Sequence, residues 1–110
     1  MFLFGRKSDS EKFAQGNEFL KSYATKIRSL MNYTAQNETV TDELNRLKEA
    51  YVFAVSPRVN KEVKKCQANI AKMFEELRTV LKQSEWDERD VMIRIADLKS
   101  ELEMLTSIRR

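Results

Sequence analysis

Apolar residues recur at alternating steps of three and four in two stretches of the second half of the chain. The two seams are Val59, Val63, Cys66, Ile70, Met73, Leu77, and Val91, Ile95, Leu98, Leu102, Leu105, Ile108. This spacing keeps each seam on one face of an α-helix. If the chain folds back at Ser84, the seams meet residue for residue, with Met73 opposite Ile95 and Ile70 opposite Leu98. The pattern therefore predicts an antiparallel helical hairpin over residues 57–108.

The first half of the chain shows the same pattern of two apolar seams that face each other when the chain folds back, here at a turn near Asn37. Folding back there brings Ile27 opposite Leu47 and Tyr23 opposite Tyr51. We expect a second hairpin over residues 9–55, with one helix running to about Gln36 and the next from Val40 to Val55. Gly16 interrupts the first apolar stripe, and a close helix crossing would explain a glycine there.

Serine and threonine residues precede each predicted helix and can cap it, because their hydroxyl accepts from free backbone N–H groups. The predicted N-caps are Ser8 or Ser10, Thr39, Ser56 and Ser84. Pro57 favours a break before it and suits the first position of a helix that runs to about Gln83. The alternative is one continuous helix over residues 40–83, kinked at Pro57.

These patterns predict an all-α fold, an antiparallel bundle of two helical hairpins with coiled-coil-like packing. It has four helices, or three if the second and third are continuous through Pro57. The expected domain covers residues 9–110, preceded by a flexible apolar and basic end over residues 1–8. Two glycines and one proline in 110 residues argue against a turn-rich β fold. One hairpin buries too little apolar surface to fold alone, so the other hairpin or a second copy of the chain should cover it.

Charge differs between the two halves of the second hairpin. Residues 57–83 carry seven Lys/Arg and three Asp/Glu, whereas residues 84–108 carry three and seven. Opposite net charge on neighbouring antiparallel helices predicts that the basic helix pairs with the acidic one inside the chain.

The side chains used most often for catalysis and metal binding are nearly absent from the sequence, which leaves only carboxylates for a metal site and an Arg/Lys/Glu pocket for catalysis. It has no histidine and a single cysteine, Cys66, which lies on an apolar seam and is expected to act as a small hydrophobe in a reducing compartment. No phosphate-binding loop, nucleophile elbow or EF-hand loop occurs. Charged residues do not interrupt the seams, so no polar pocket is expected between the helices. We predict no catalytic, cofactor or metal site and no enzymatic activity.

The remaining hypothesis is a non-enzymatic module for protein–protein interaction or assembly, as an adaptor, subunit or structural component. Large apolar side chains often anchor interfaces. The candidates beside the seams are Tyr51, Phe53, Phe74 and Trp86. Residues 51–55 are apolar on every side, which places them deep in the fold or in a subunit interface. Trp86 is expected to cover the hairpin end near Val80 and Leu81. The expected partner is a protein or a second copy, giving a homo-oligomer.

Two alternatives belong to other functional classes. The first is a peripheral membrane-surface protein, because the chain begins with large apolar side chains followed by cations: Phe2, Leu3, Phe4, Arg6 and Lys7. The expected location of the protein is the cytoplasm, with membrane association as an option. The second is nucleic-acid binding through the basic face of helix 57–83, with candidates Arg58, Lys61, Lys65 and Lys72. Neither a helix-turn-helix bend nor aromatics interleaved with these cations supports it.

Overall fold

A computed structural model describes residues 9–108 of the chain. Within that range it contains helices and no strand, arranged in a rod of 56 × 21 × 21 Å. A single 3-10 turn, Met31–Tyr33, follows the first helix. The four α-helices are α1 Asp9–Leu30, α2 Glu38–Phe53, α3 Lys61–Leu81 and α4 Glu88–Thr106.

The helices form the two predicted antiparallel hairpins, α1 with α2 and α3 with α4. The hairpins join mainly through α2 and α4, and to a lesser extent through α1 and α3. The order around the bundle is therefore α1, α2, α4, α3. With four helices stacked this way, the second layer that the burial argument requires is the other hairpin of the same chain.

One apolar core runs between the hairpins and draws on all four helices. Its fully buried members include Ile27, Leu47, Ile70 and Leu98, one from each helix. The seams are confirmed except at their ends, where Val59 and Ile108 are partly buried outside the helices, and at one position of α3, where Phe74 is buried and Met73 is only partly so. The reason is a contact with α1, because the Phe74 ring packs edge-on against the Tyr23 ring with 5.4 Å between the ring centroids. A seam derived from pairing with α4 alone could not include that contact.

The three observed N-caps of α2, α3 and α4 differ from those predicted, although each lies nearby. Asn37, Asn60 and Asp87 accept backbone N–H groups at 3.0, 2.8 and 3.2 Å. Thr39, Ser56 and Ser84 were therefore the wrong caps. Asparagine and aspartate cap as well as serine does, so propensity alone does not choose between candidates two to four residues apart. The first helix also ends earlier than expected, at Leu30 instead of Gln36.

The chain breaks between α2 and α3, so the continuous-helix alternative is wrong. Ala54 is extended, with ψ at 146°, and α3 begins only at Lys61. Within this linker, Ser56 is buried against α1: its N–H donates to Asn17 Oδ1 at 2.8 Å and its hydroxyl to the Pro57 carbonyl at 2.7 Å. Gly16 lies directly beneath, where a Cβ would fall 2.6 Å from the Ser56 Cβ. The glycine thus admits the linker, not a crossing helix.

The opposite end of the rod joins the two hairpin turns. Asn37 Nδ2 donates to Glu88 Oε1 at 2.7 Å, which ties the α1–α2 turn to the start of α4. Trp86 is partly buried against the core, and it lines one cavity together with Leu81. This agrees with the predicted cover over the hairpin end. No described helix has the length and apolar content needed to cross a lipid bilayer.

Candidate partner-binding surface

The interior holds a small polar cluster that the seams did not predict. Glu101 is only 6% exposed, and its carboxylate accepts from Asn69 Nδ2 at 3.0 Å. The expectation that no charged residue faces inward was therefore wrong. Glu101 is on the core side of α4 one residue before Leu102, so the seam and the acid share a face. The spacing of apolar residues could not reveal the buried acid, because it identifies only the apolar positions on the inner face of the helix.

Tyr51 and Cys66 belong to the same interior. The Tyr51 hydroxyl donates to the Leu98 carbonyl at 3.0 Å and so links α2 to α4. Burial, and then the charge of Glu101, raises the pKa of Tyr51 above its ordinary value. Burial is also the main cause that raises the pKa of the Cys66 thiol, with Glu101 next. Both groups therefore stay protonated near neutral pH, and the buried thiol is unreactive.

Side chains able to bind a metal ion do not cluster in the part of the chain that the structure describes. The buried side-chain nitrogen and oxygen atoms there all have hydrogen-bond partners. The candidate binding surface is therefore sought among the exposed side chains.

The structure separates the four predicted interface residues. Tyr51 and Phe74 lie in the core, at 0% and 3% exposure, so neither is on the surface of this fold. Trp86 is partly buried. Phe53 is 79% exposed and is the one candidate that projects fully into solvent.

Phe53 is the centre of an apolar surface that we name the linker patch: Val52, Phe53 and Val55. Val52 is 46% and Val55 72% exposed. The prediction that residues 51–55 lie deep within the fold is wrong for these three, since only Tyr51 is buried and Ala54 is partly buried against the core. The cause is that α2 ends at Phe53 and the chain turns away in an extended conformation. Their place in a subunit interface stays a prediction.

A groove on the outer side of the α1–α2 hairpin opens onto the linker patch. It has a volume of about 320 Å³. We name it the α1–α2 groove; it is lined by Lys21, Ala24, Thr25, Arg28, Lys48 and Val52. Val52 belongs to both surfaces, so they are continuous. Sequence arithmetic could have found the groove, because the folding rule that sets Ile27 opposite Leu47 also sets Lys21 close to Val52.

The α3–α4 hairpin has a different outer surface. Its groove is lined by Lys72, Glu75, Glu76, Thr79 and Arg94. Arg94 of α4 lies 3.7 Å from Glu76 of α3 and 3.0 Å from Asp90. The ion pair between these helices thus runs opposite to the net charges, with the cation on the acidic helix. The basic helix does pack against α4, as predicted, although this ion pair has its cation on α4.

The basic-face candidates on α3 are exposed. Lys61, Lys65 and Lys72 form no ion pair within the described residues. Arg58 is in the linker and is only partly exposed. Nucleic-acid binding by these residues stays a prediction. The membrane-anchor candidates Phe2, Leu3, Phe4, Arg6 and Lys7 lie outside the described residues.

Comparisons with known proteins do not assign a function to either surface. The sequence matches no protein-family model and no curated protein, and the fold matches no solved structure.

Proposed function

We propose that the chain is a non-enzymatic helical module for protein–protein interaction, and that the linker patch is its contact surface. The observation that carries this proposal is the exposure of Phe53, at 79%, between two exposed valines. Phe13, Tyr33, Ile93 and Met104 are also exposed, but none has a large apolar side chain exposed within three residues in sequence. Within residues 10–108, only the linker patch therefore offers exposed apolar side chains that are close in sequence, of the kind that interfaces bury.

The energetic argument follows from the area that a partner would cover. An aromatic side chain carries a large apolar surface, and its full burial is worth about 1.5–3 kcal/mol. Residues of this type dominate binding energy when they fill a partner's pocket. Phe53 is also held at the end of a regular helix, so little of its backbone freedom is lost on binding.

The partner is a protein, either another chain or a second copy of this one. Light scattering over a range of concentrations distinguishes the two, since self-association gives a mass that rises with concentration. The rod itself does not need a second copy to complete its core, because both hairpins already cover each other.

The test is the variant Phe53→Ser in the full chain, with Tyr33→Ser as the matched control. Tyr33 is 43% exposed and lies near the other end of the rod. We expect Phe53→Ser to lose self-association or the protein captured from native lysate by the wild-type chain, while Tyr33→Ser keeps it. Circular dichroism should be unchanged in both. Equal binding by wild type and Phe53→Ser would disprove the proposal.

A membrane-surface role is the second candidate, favoured by one observation. The linker patch is followed within six residues by Arg58 and Lys61. Exposed apolar residues beside cations are typical of interfacial binding to anionic lipid. Flotation with vesicles containing phosphatidylserine tests it: loss of binding in Phe53→Ser and in a chain lacking residues 2–7 supports this role, and equal partitioning of all three excludes it.

A further inference from the structure

The charges around the α1–α2 groove have one sign. Three cations line it, Lys21 and Arg28 from α1 and Lys48 from α2, and no acid does. None of these cations takes part in an ion pair within residues 10–108. Each is therefore available to an external anion.

The other grooves between neighbouring helices carry both signs. The α3–α4 groove contains Glu75 and Glu76 beside its cations, and Arg94 is already paired there. The α2–α4 groove contains Glu43, whose carboxylate lies 2.7 Å from Arg46. Acids of the same grooves pair with Arg94 and Arg46. The α1–α2 groove differs because its positive charge is uncompensated.

The geometry of the groove suits a helix. Lys21 and Arg28 are seven residues apart on α1, two turns or about 10 Å along the axis. Between the cationic walls lie Ala24 and Val52, which give an apolar floor. Ala24 is small and almost fully buried, so its side chain does not project into the groove. A helix with an apolar stripe bordered by acids complements both features, as in the general helix-in-groove mode of recognition.

We infer that the α1–α2 groove binds an acidic amphipathic helix of a partner protein. This inference rests on the proposed function and deepens it, because Val52 joins the groove to the linker patch. The partner's apolar residues cover Val52 and the patch, while its carboxylates reach Lys21, Arg28 and Lys48. Charge complementarity sets which partner is accepted, and apolar contact supplies most of the affinity.

The test titrates the full chain with a synthetic helical peptide that has a leucine stripe bordered by glutamates, and with the same peptide carrying glutamines instead. We expect the glutamate peptide to bind more tightly, with affinity that falls as salt rises. The variant Lys21→Gln/Lys48→Gln should weaken it by about threefold to thirtyfold, since each exposed pair contributes modestly. The control Lys61→Gln/Lys65→Gln removes the same charge from α3 and should have little effect.

The outcomes separate this inference from the proposed function. Equal binding of both peptides, or equal loss in the control variant, overturns the groove assignment. If Phe53→Ser abolishes partner binding and Lys21→Gln/Lys48→Gln leaves it unchanged, the groove fails and the linker patch stands. If neither variant matters, both fail. Self-association that depends on Lys21 and Lys48 would assign the groove to a second copy and also overturn the inference.

Discussion

The two hairpins are built by the same pattern and yet have different surfaces. Each folds back about a turn, and each contributes one half of a single core. On the α3–α4 hairpin, Arg94 is paired with Glu76 and Asp90, and Arg78 with Glu75. On the outer face of the α1–α2 hairpin, Lys21 and Lys48 form no ion pair within the described residues, and Phe53 is exposed. The groove of the second hairpin therefore contains both charge signs and an ion pair between its helices, whereas the α1–α2 groove contains cations alone.

The difference teaches that core and surface carry separate information. Both halves obey one packing rule, because burying an apolar stripe is required of every helix in the bundle. Ion pairs on the surface add little stability, so folding does not require them. A surface without such ion pairs is therefore compatible with a stable fold, and its unpaired charges indicate a role other than stabilising the fold.

Truncating the shared core should affect both hairpins alike. Leu47 of α2 and Leu98 of α4 are almost fully buried, so Leu47→Ala and Leu98→Ala should each lower the free energy of unfolding by about 2–5 kcal/mol. Urea denaturation followed by circular dichroism measures this. A single transition that shifts in both variants supports one core. Two separate transitions, with each variant moving only one, would show that the hairpins fold independently.

Adding a methyl group at Gly16 should disturb the linker of the first hairpin. The new Cβ would overlap the Ser56 hydroxyl, and Ser56 is held there by Asn17. We expect Gly16→Ala to cost about 1–2 kcal/mol net, because overpacking exceeds the gain in helix propensity. Ser56→Gly removes the obstructing side chain, so the double variant should recover part of the loss. A stabilised Gly16→Ala chain would contradict the close approach of linker and helix.

Tyr51 joins the hairpins and should make stability fall at high pH. Its pKa is raised in the folded state, so the unfolded chain ionises first and stability is lost as pH rises above about 10. Tyr51→Phe should cost about 0.5–1.5 kcal/mol at neutral pH by losing the bond to the Leu98 carbonyl. The difference between wild type and variant should then shrink as pH rises beyond 10. Tyr33→Phe is the control, and a constant difference would contradict the account.

Removing a surface cation should lower stability slightly on the α3–α4 hairpin and not on the α1–α2 hairpin. Arg94→Gln breaks two ion pairs, yet these side chains are partly exposed, so the expected loss is at most about 1 kcal/mol and should diminish in high salt. Lys48→Gln breaks none and should leave the midpoint of urea unfolding unchanged. A larger loss for Lys48→Gln than for Arg94→Gln would reverse the comparison.

The sequence predicted the fold well because helical periodicity is repeated in every turn of four helices. Details that depend on a third helix, beyond the two paired in a hairpin, were missed. Phe74 replaces Met73 in the core because Tyr23 packs against it, and pairing α3 with α4 alone ignores α1. Glu101 was missed because a buried acid needs a particular donor, Asn69, that spacing does not identify. Helix ends were less certain, since capping residues of equal propensity lie within one turn.

The surface was harder to predict than the core. Residues 51–55 are uniformly apolar, and their composition cannot say which of them turns outward once a helix ends. Only the position of Ala54, extended after Phe53, exposes the linker patch. Predicted contact residues were therefore partly in the core, as Tyr51 and Phe74 are, and partly on the surface, as Phe53 is.

Amide hydrogen exchange tests the central claim most directly, with the full chain measured alone and in complex with the protein it captures. The account predicts slower exchange in the complex for residues 52–55 and for α1 around Lys21 and Thr25, and little change on the outer face of α3–α4. Slower exchange confined to α3 and α4, with the linker patch unchanged, would contradict it.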